Sequence, residues 1–262
     1  MDISCAFPTT LESAEHVKIA EDLGYHRAWL YDTPQQSPDV WMMLALAAAK
    51  TERIGLGPGV LIPSLRHPMV NAAATAGLDA LAPGRVAVGF GTGFTGRRAM
   101  GYDAMSWASV ERYVAAFTAL LRGETIEWEG ARMRMLHPDG SAPARPIDVP
   151  IILSAFGPKG CEITQRLGYG LFALPGRFPA DTLDWVASIT FGTVRDEGDT
   201  PGGEREMTRS APAWHSTTTW RTSSAARTPC GRCRAARRGS QSSTSIPPRF
   251  AISRCTPIIS SP

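Results

Sequence analysis

Three stretches of the chain place glycine where an apolar strand should be ending. Ile54 to Pro68 reads Ile-Gly-Leu-Gly-Pro-Gly-Val-Leu-Ile-Pro-Ser-Leu-Arg-His-Pro, Val86 to Gly96 carries Gly89, Gly91, Gly93 and Gly96, and Ala155 to Gly160 reads Ala-Phe-Gly-Pro-Lys-Gly. Glycine weakens a strand unless a bulge or the close approach of a ligand needs the room. Gly157-Pro158 has the clearest chemistry. Proline at a helix start leaves the neighbouring amide groups outward, and a helix N-terminus favours an anion such as phosphate. Lys159 adds charge beside it. Asp32 stands just past the apolar run Arg27 to Tyr31, where it can cap the next segment or act on a ligand. His67, between Arg66 and Pro68, is first a helix cap and second a substrate contact. Singly, each feature also reads as a tight turn or a plain cap. Their shared position at strand ends carries the argument.

Several chemistries are excluded. Gly89-Phe90-Gly91-Thr92-Gly93 lacks the G-x-G-x-x-G spacing of a nicotinamide dinucleotide loop. The chain has no phosphate-binding G-x-x-x-x-G-K-[ST] loop, no H-E-x-x-H and no G-x-S-x-G. Cys230-x-x-Cys233 is a lone pair in an arginine-rich context, and no metal site is expected.

The elements that must position these residues alternate. Ile3 to Phe7 is a first strand, and Thr9-Thr10-Leu11-Glu12 fits a capping box for a helix with Ala14, Val17, Ala20 and Leu23 at helical spacing, ended by Gly24. Arg27 to Tyr31 is the second strand. Ser37-Pro38-Asp39 starts a helix through Ala49, Ile54 begins the third strand, and Pro68 to Leu81 is the third helix. Val86 to Gly91 is the fourth strand, followed by a loop from Arg97 to Met105. An amphipathic helix carries Val110, Tyr113, Val114, Phe117, Leu120 and Leu121. A hairpin about Glu129-Gly130 interrupts the rhythm. Strands at Pro150 to Ser154 and Gly170 to Leu174 flank a helix through Leu167. Ala187 to Val194 is a seventh strand, after a short helix near Ala180 to Trp185. The order predicts a TIM (β/α)8 barrel with its site at the C-terminal strand ends. A doubly wound open sheet is the alternative.

The chain's 262 residues, 43% hydrophobic, suffice for one large core. No apolar run is long enough for a membrane span, and Met1 to Ser4 lacks the basic start of a secretory signal, so a cytoplasmic location is expected. The net charge of +3 hides a split. Residues 207–262 hold nine arginines and no Asp, Glu or Lys, which leaves −6 on residues 1–206.

Together these residues resemble the bacterial-luciferase-like oxidoreductases, above all their coenzyme F420 branch. The carrying residues are Ala20 to Tyr25 with Trp29 to Asp32, Thr51 to Gly57, Gly59-Val60 through Pro68, Leu78 to Leu81 with Gly84-Arg85, Gly89 to Gly93, Ser154 to Lys159, and Thr190 to Val194. The resemblance implies a barrel with a hairpin insertion and a deazaflavin, or alternatively FMN, across its mouth. It implies a non-prolyl cis peptide near Gly59-Val60 behind the ring. It also implies cofactor contacts from Gly59, Val60, Gly91, Thr92, Gly93, Ala155, Phe156, Gly157, Pro158 and Lys159, with Asp32 and His67 as catalytic candidates. Gly91 to Gly93 would leave room for the cofactor tail. Hydride would pass between the ring and a small-molecule substrate. A homodimer is implied, with neither nucleic acid nor membrane as partner.

The resemblance stops after Glu206. The remaining Arg, Ser, Thr, Pro and Ala show no hydrophobic periodicity. Back-translation of His215 to Arg221 and of Arg249 to Ser261 in one shifted frame permits family-like sequence twice. This suggests that a frame change near Met207 replaced the last barrel unit with an irregular tail. The expected division is a barrel domain of residues 1–206 and a tail of 207–262. Against the F420 oxidoreductase stand an FMN-dependent monooxygenase, an inactive product, and a binder of nucleic acid or acidic partners through the arginine tail. The last predicts salt-dependent binding that survives removal of residues 1–206.

Overall fold

A computed structural model of the chain describes residues 2–174, Leu183 and 185–188, all within one compact unit, Met1–Thr190. Strands β1 (Ser4–Phe7), β2 (Arg27–Leu30) and β3 (Gly55–Pro58) pair in parallel, with Trp29 level with Ala6 on one side and Gly57 on the other. Parallel bridges from Leu56 to Val86 and from Leu61 to Phe90 carry the sheet to β4 (Val88–Phe90). From there β7 (Ile151–Ser154), β8 (Gly170–Ala173) and β9 (Val186–Ser188) continue it, again in parallel. Seven parallel strands thus follow one another in chain order, as a TIM barrel requires. The hairpin of β5 (Ile126–Trp128) and β6 (Ala131–Met133) stands apart as the expected insertion. Its turn has positive φ at both Glu129 and Gly130, the geometry that matches strand twist. The expected tail, Cys230-x-x-Cys233, most of the short helix near Ala180 and residues 189–194 of the expected seventh strand lie outside the described residues.

Helices α1 (Ser13–Asp22), α2 (Val40–Lys50), α3 (Pro68–Leu81), α5 (Trp107–Leu121) and α6 (Pro158–Leu167) form the outer layer. Their apolar faces bury the outward residues of the strands: Leu30, Leu56, Val88, Phe90 and Leu153 pack with Val17, Leu44, Phe117 and Leu120 in one core. Each such side chain contributes about 1.5–3 kcal/mol by leaving water. A short helix, α4 (Phe94–Ala99), occupies part of what the sequence reads as open loop. No helix among the described residues is long and apolar enough to cross a membrane.

Three local expectations shift. The box before α1 is one residue later: Thr10 N–H donates to Ser13 Oγ, and the Thr10 hydroxyl accepts from Glu12 N–H. Thr9 donates instead to Pro38 O across to the α2 entry. Asp39, not Ser37, caps α2, accepting from Trp41 and Met42 N–H. Leu23 is exposed, and buried Glu21 takes the inward place near the end of α1. Its Oε1 accepts from the amides of Glu52, Arg53 and Ile54 at 2.9, 2.6 and 3.0 Å, which fixes the turn that launches β3. Arg85 ties the same turn from the other side, donating to Thr51 and to the carbonyls of Ala48 and Ile54.

Candidate active site

The inward face of the strands is built on an exchange of volume. Trp29 and Arg27 project from β2 into the lumen, and β3 opposite them carries Gly55 and Gly57. A Cβ on Gly57 would lie 2.1 Å from the Ala87 carbonyl oxygen and 2.8 Å from the Trp29 ring. Trp29 meets Phe172 of β8 edge-on at 4.8 Å, and with Ala87 and Ile152 they plug the lumen below the C-terminal strand ends. Arg27, buried and short of a carboxylate partner among the described residues, donates to the Leu56 and Arg85 carbonyls and lies over the rings of Trp29 and Trp185. Burial lowers its pKa to about 10.

Above this plug the chain leaves β3 through a cis Gly59–Val60 peptide, where the resemblance places one. The segment stays pinned on both sides. Gly59 N–H donates to Leu30 O at 2.8 Å, Leu61 N–H to Gly89 O at 2.8 Å, and Gly91 N–H to Leu61 O at 3.0 Å. Val60 turns over the lumen, and its methyl groups take the space that a Cβ on Gly89 or Gly91 would need, at 2.9 and 2.8 Å. The room expected for a cofactor tail at Gly91 and Gly93 is therefore spent inside the protein. Val60 fills it at Gly91, while Ile62 and Arg97 fill it at Gly93, whose φ of +73° starts α4. Thr92 between them accepts through its carbonyl from Met105 N–H. Gly157 differs. Nothing lies within 4 Å of a Cβ built there, α6 begins without a side-chain cap, Pro158 is its first residue, and Lys159 is exposed. Ala155 is fully buried with Leu171 and Ala173, so only its backbone remains for a ligand; Phe156 is half-buried.

Asp32 stands at the end of β2, nearly fully buried. Its Oδ2 accepts from Arg66 Nη1 at 2.7 Å, and Arg66 Nη2 reaches Asp39 Oδ2 at 2.5 Å. Asp32 Oδ1 is buried and meets no donor at hydrogen-bond distance. Burial pushes the Asp32 carboxyl up, and the Arg66 guanidinium pulls the other way without cancelling it. For Asp39, burial is outweighed by Arg66 and the α2 amides, and its carboxyl is lowered.

Arg66 is the residue that sequence reasoning missed. Its guanidinium joins the β2 end to the α2 start. Its carbonyl accepts from Tyr113 OH at 2.8 Å, Tyr113 accepts from Asn71 Nδ2 at 2.7 Å, and Asn71 Oδ1 accepts from Trp41 Nε1 at 2.9 Å. Burial pushes the Tyr113 hydroxyl up, so it stays a neutral donor. The only sequence signal was an arginine beside a strand end, with acids at 32 and 39 after the preceding strand. His67 is a cap: its Nδ1 accepts from Met69 N–H at 3.1 Å. Its ring lies edge-on to Trp128 in a side cleft, and no contact joins it to Asp32 among the described residues. Among the described residues no hydrogen bond or ion pair links the two catalytic candidates, although Arg66, the neighbour of His67, holds Asp32.

Comparison with known proteins gives three consistent findings. The family model described as luciferase-like monooxygenase matches residues 8–228. The chain is 34% identical over 176 residues to an F420-dependent glucose-6-phosphate dehydrogenase of Beutenbergia cavernae, covering 61% of this chain and 51% of that protein. It is 30% identical over 192 residues to a 5,10-methylenetetrahydromethanopterin reductase of Methanolobus tindarius, covering 71% and 56%. The chain thus spans about half the length of these curated relatives. Among solved structures, the monooxygenase RslO1 of Streptomyces bottropensis superposes with a TM-score of 0.55 at 27% identity, over 70% of this chain and 62% of that one.

Proposed function

The chain belongs to the luciferase-like monooxygenase family, and on that premise we propose that it is an oxidoreductase that transfers hydride between coenzyme F420 and a small organic substrate at the C-terminal strand ends. The observation that carries the proposal is the open, uncapped start of α6 at Gly157-Pro158, at the same end of the parallel strands as Val60. A helix start with nothing in front of it suits the phosphate of such a cofactor, and Lys159 adds a positive charge. Gly59, Val60, Gly91, Thr92, Gly93 and the backbone of Ala155 to Lys159 would hold the cofactor. When bound, coenzyme F420 supplies a two-electron carrier. The chain's own residues supply the rest. Val60, backed by Trp29 and Phe172, gives an apolar floor that shuts out water from below. Asp32, with its raised carboxyl and unpartnered Oδ1, is placed to hold a proton. Arg66 fixes Asp32 against the β3–α3 loop. Cytoplasmic location, a homodimer, and the division into a barrel of residues 1–206 and an out-of-frame tail of 207–262 belong to the same reading.

The likeness to RslO1 favours a second reading, an FMN-dependent monooxygenase on the same strand ends. Anaerobic titration of the full chain with F420 and with FMN, each followed by fluorescence, separates the two. F420 binding that weakens in Gly157→Val, together with oxygen-independent turnover of glucose 6-phosphate or methylenetetrahydromethanopterin, is expected. Binding of FMN alone, with oxygen consumed, would replace the first reading by the second. Binding of neither, regained after restoring the shifted frame, would mark the present chain as the inactive product.

A further inference from the structure

A cleft of about 370 Å³ opens beside the barrel, between the β3–α3 loop, α5 and the β5–β6 hairpin. None of the residues assigned to the mouth lines it except Arg66 and His67, and Arg66 is already neutralised by its two aspartates. Its volume falls in the range of small-molecule sites. Pro63, Pro68, Met105, Tyr113 and Trp128 give it apolar walls. Trp128 is locked in place, with the rings of His67 and Tyr113 edge-on at 6.1 and 5.8 Å.

Two polar groups of this cleft, Arg112 and His67, keep donors to spare. Arg112 lies over the Trp128 ring at 5.1 Å and has no carboxylate within 4 Å among the described residues. A guanidinium held over an aromatic face by cation–π attraction keeps its N–H donors for other partners. His67 spends Nδ1 as an acceptor for Met69 N–H. A neutral imidazole that accepts at Nδ1 carries its proton at Nε2, a second donor. Ser109, which lines the same wall, already shares its hydroxyl with that of Ser106 at 2.8 Å. One acidic group, Glu129, also lines the cleft, on the exposed hairpin turn. It opposes a second negative charge without cancelling the first.

We propose that this cleft is a second binding site, separate from the strand ends, for a small flat apolar molecule carrying a single carboxylate, held between Arg112 and His67 with its body against Trp128. The site does not depend on the reading of the mouth. It does touch the mouth's support, because Tyr113 lines the cleft and donates to the Arg66 carbonyl.

Benzoate is the probe. Calorimetric titration of the full chain should show one site, with benzoate bound more tightly than benzamide or inorganic phosphate. Arg112→Gln should weaken benzoate about tenfold or more, the scale of a lost charge-assisted hydrogen bond. Glu129→Gln should strengthen benzoate and raise the affinity for phosphate. Arg166→Gln, an exposed arginine outside the cleft paired with Glu111, should change nothing. Both cleft side chains are exposed, so these variants leave the core intact. Equal affinity for benzamide and benzoate, no benzoate binding, or an Arg112→Gln variant that binds as well as the parent would overturn the proposal.

Discussion

Glu21 offers the most direct test of how the β3 launch is held. Burial works against its charge, but the amides of Arg53, Ile54 and Glu52 and the Arg53 charge more than offset it, so the carboxyl falls from an ordinary 4.5 to about 2. At about 1.4 kcal/mol per tenfold, that difference stabilises the fold by about 3 kcal/mol at neutral pH. Because the folded value is depressed, the contribution is complete above pH about 4.5 and is lost as the pH falls toward 2; roughly 1.4 kcal/mol of it remains at pH 3. Glu21→Gln keeps the shape but removes the charge and faces an amide group toward three donors. Urea unfolding of the full chain should therefore show the variant less stable by about 3 kcal/mol at pH 7, with the gap narrowing to roughly half at pH 3. Glu15→Gln is the control: Glu15 forms an exposed pair with Lys50, and its loss should cost less than about 1 kcal/mol. Equal stability of Glu21→Gln and the parent at pH 7, or a gap that does not move with pH, would refute the account of the three amide bonds as a charge-dependent staple.

Three further changes test the lumen, the α6 start and the network behind the mouth. Gly57→Ala drives a Cβ onto the Ala87 backbone and should cost about 3 kcal/mol or prevent folding, while Gly157→Ala meets open space and should stay within about 1 kcal/mol of the parent by thermal unfolding. Tyr113→Phe leaves the Arg66 carbonyl and the Asn71 amide without a partner in a buried place and should cost about 1–3 kcal/mol in urea unfolding, with no effect on the secondary structure seen by circular dichroism.

The alternation of apolar runs, caps and glycines was enough to locate six strands, the described start of a seventh and five long helices, because each signal is local to its own element. Pro68 to Leu81 came out with both ends correct, since a proline start and a Pro83-Gly84 stop bracket it. The cis peptide at Gly59–Val60 was legible only through resemblance. What the sequence could not show was which partner each polar group would choose. The purpose of Gly89 and Gly91 depends on where Val60 points, which is decided by pairing to strands on either side. The role of Arg66 depends on Asp32 and Asp39, which lie 34 and 27 residues away in the chain. His67 was legible as a helix cap from the Pro68 that follows it, and it does cap α3 through Met69 N–H; its contact with Trp128, 61 residues on, was not.

The lumen plug of Trp29, Phe172, Ala87 and Ile152 also governs traffic. With the lumen stopped from below among the described residues, a molecule resting on Val60 has to come from the side of the strand ends, not through the layer of Trp29 and Phe172. The glycines that made space for a tryptophan thereby set the direction from which a visitor comes.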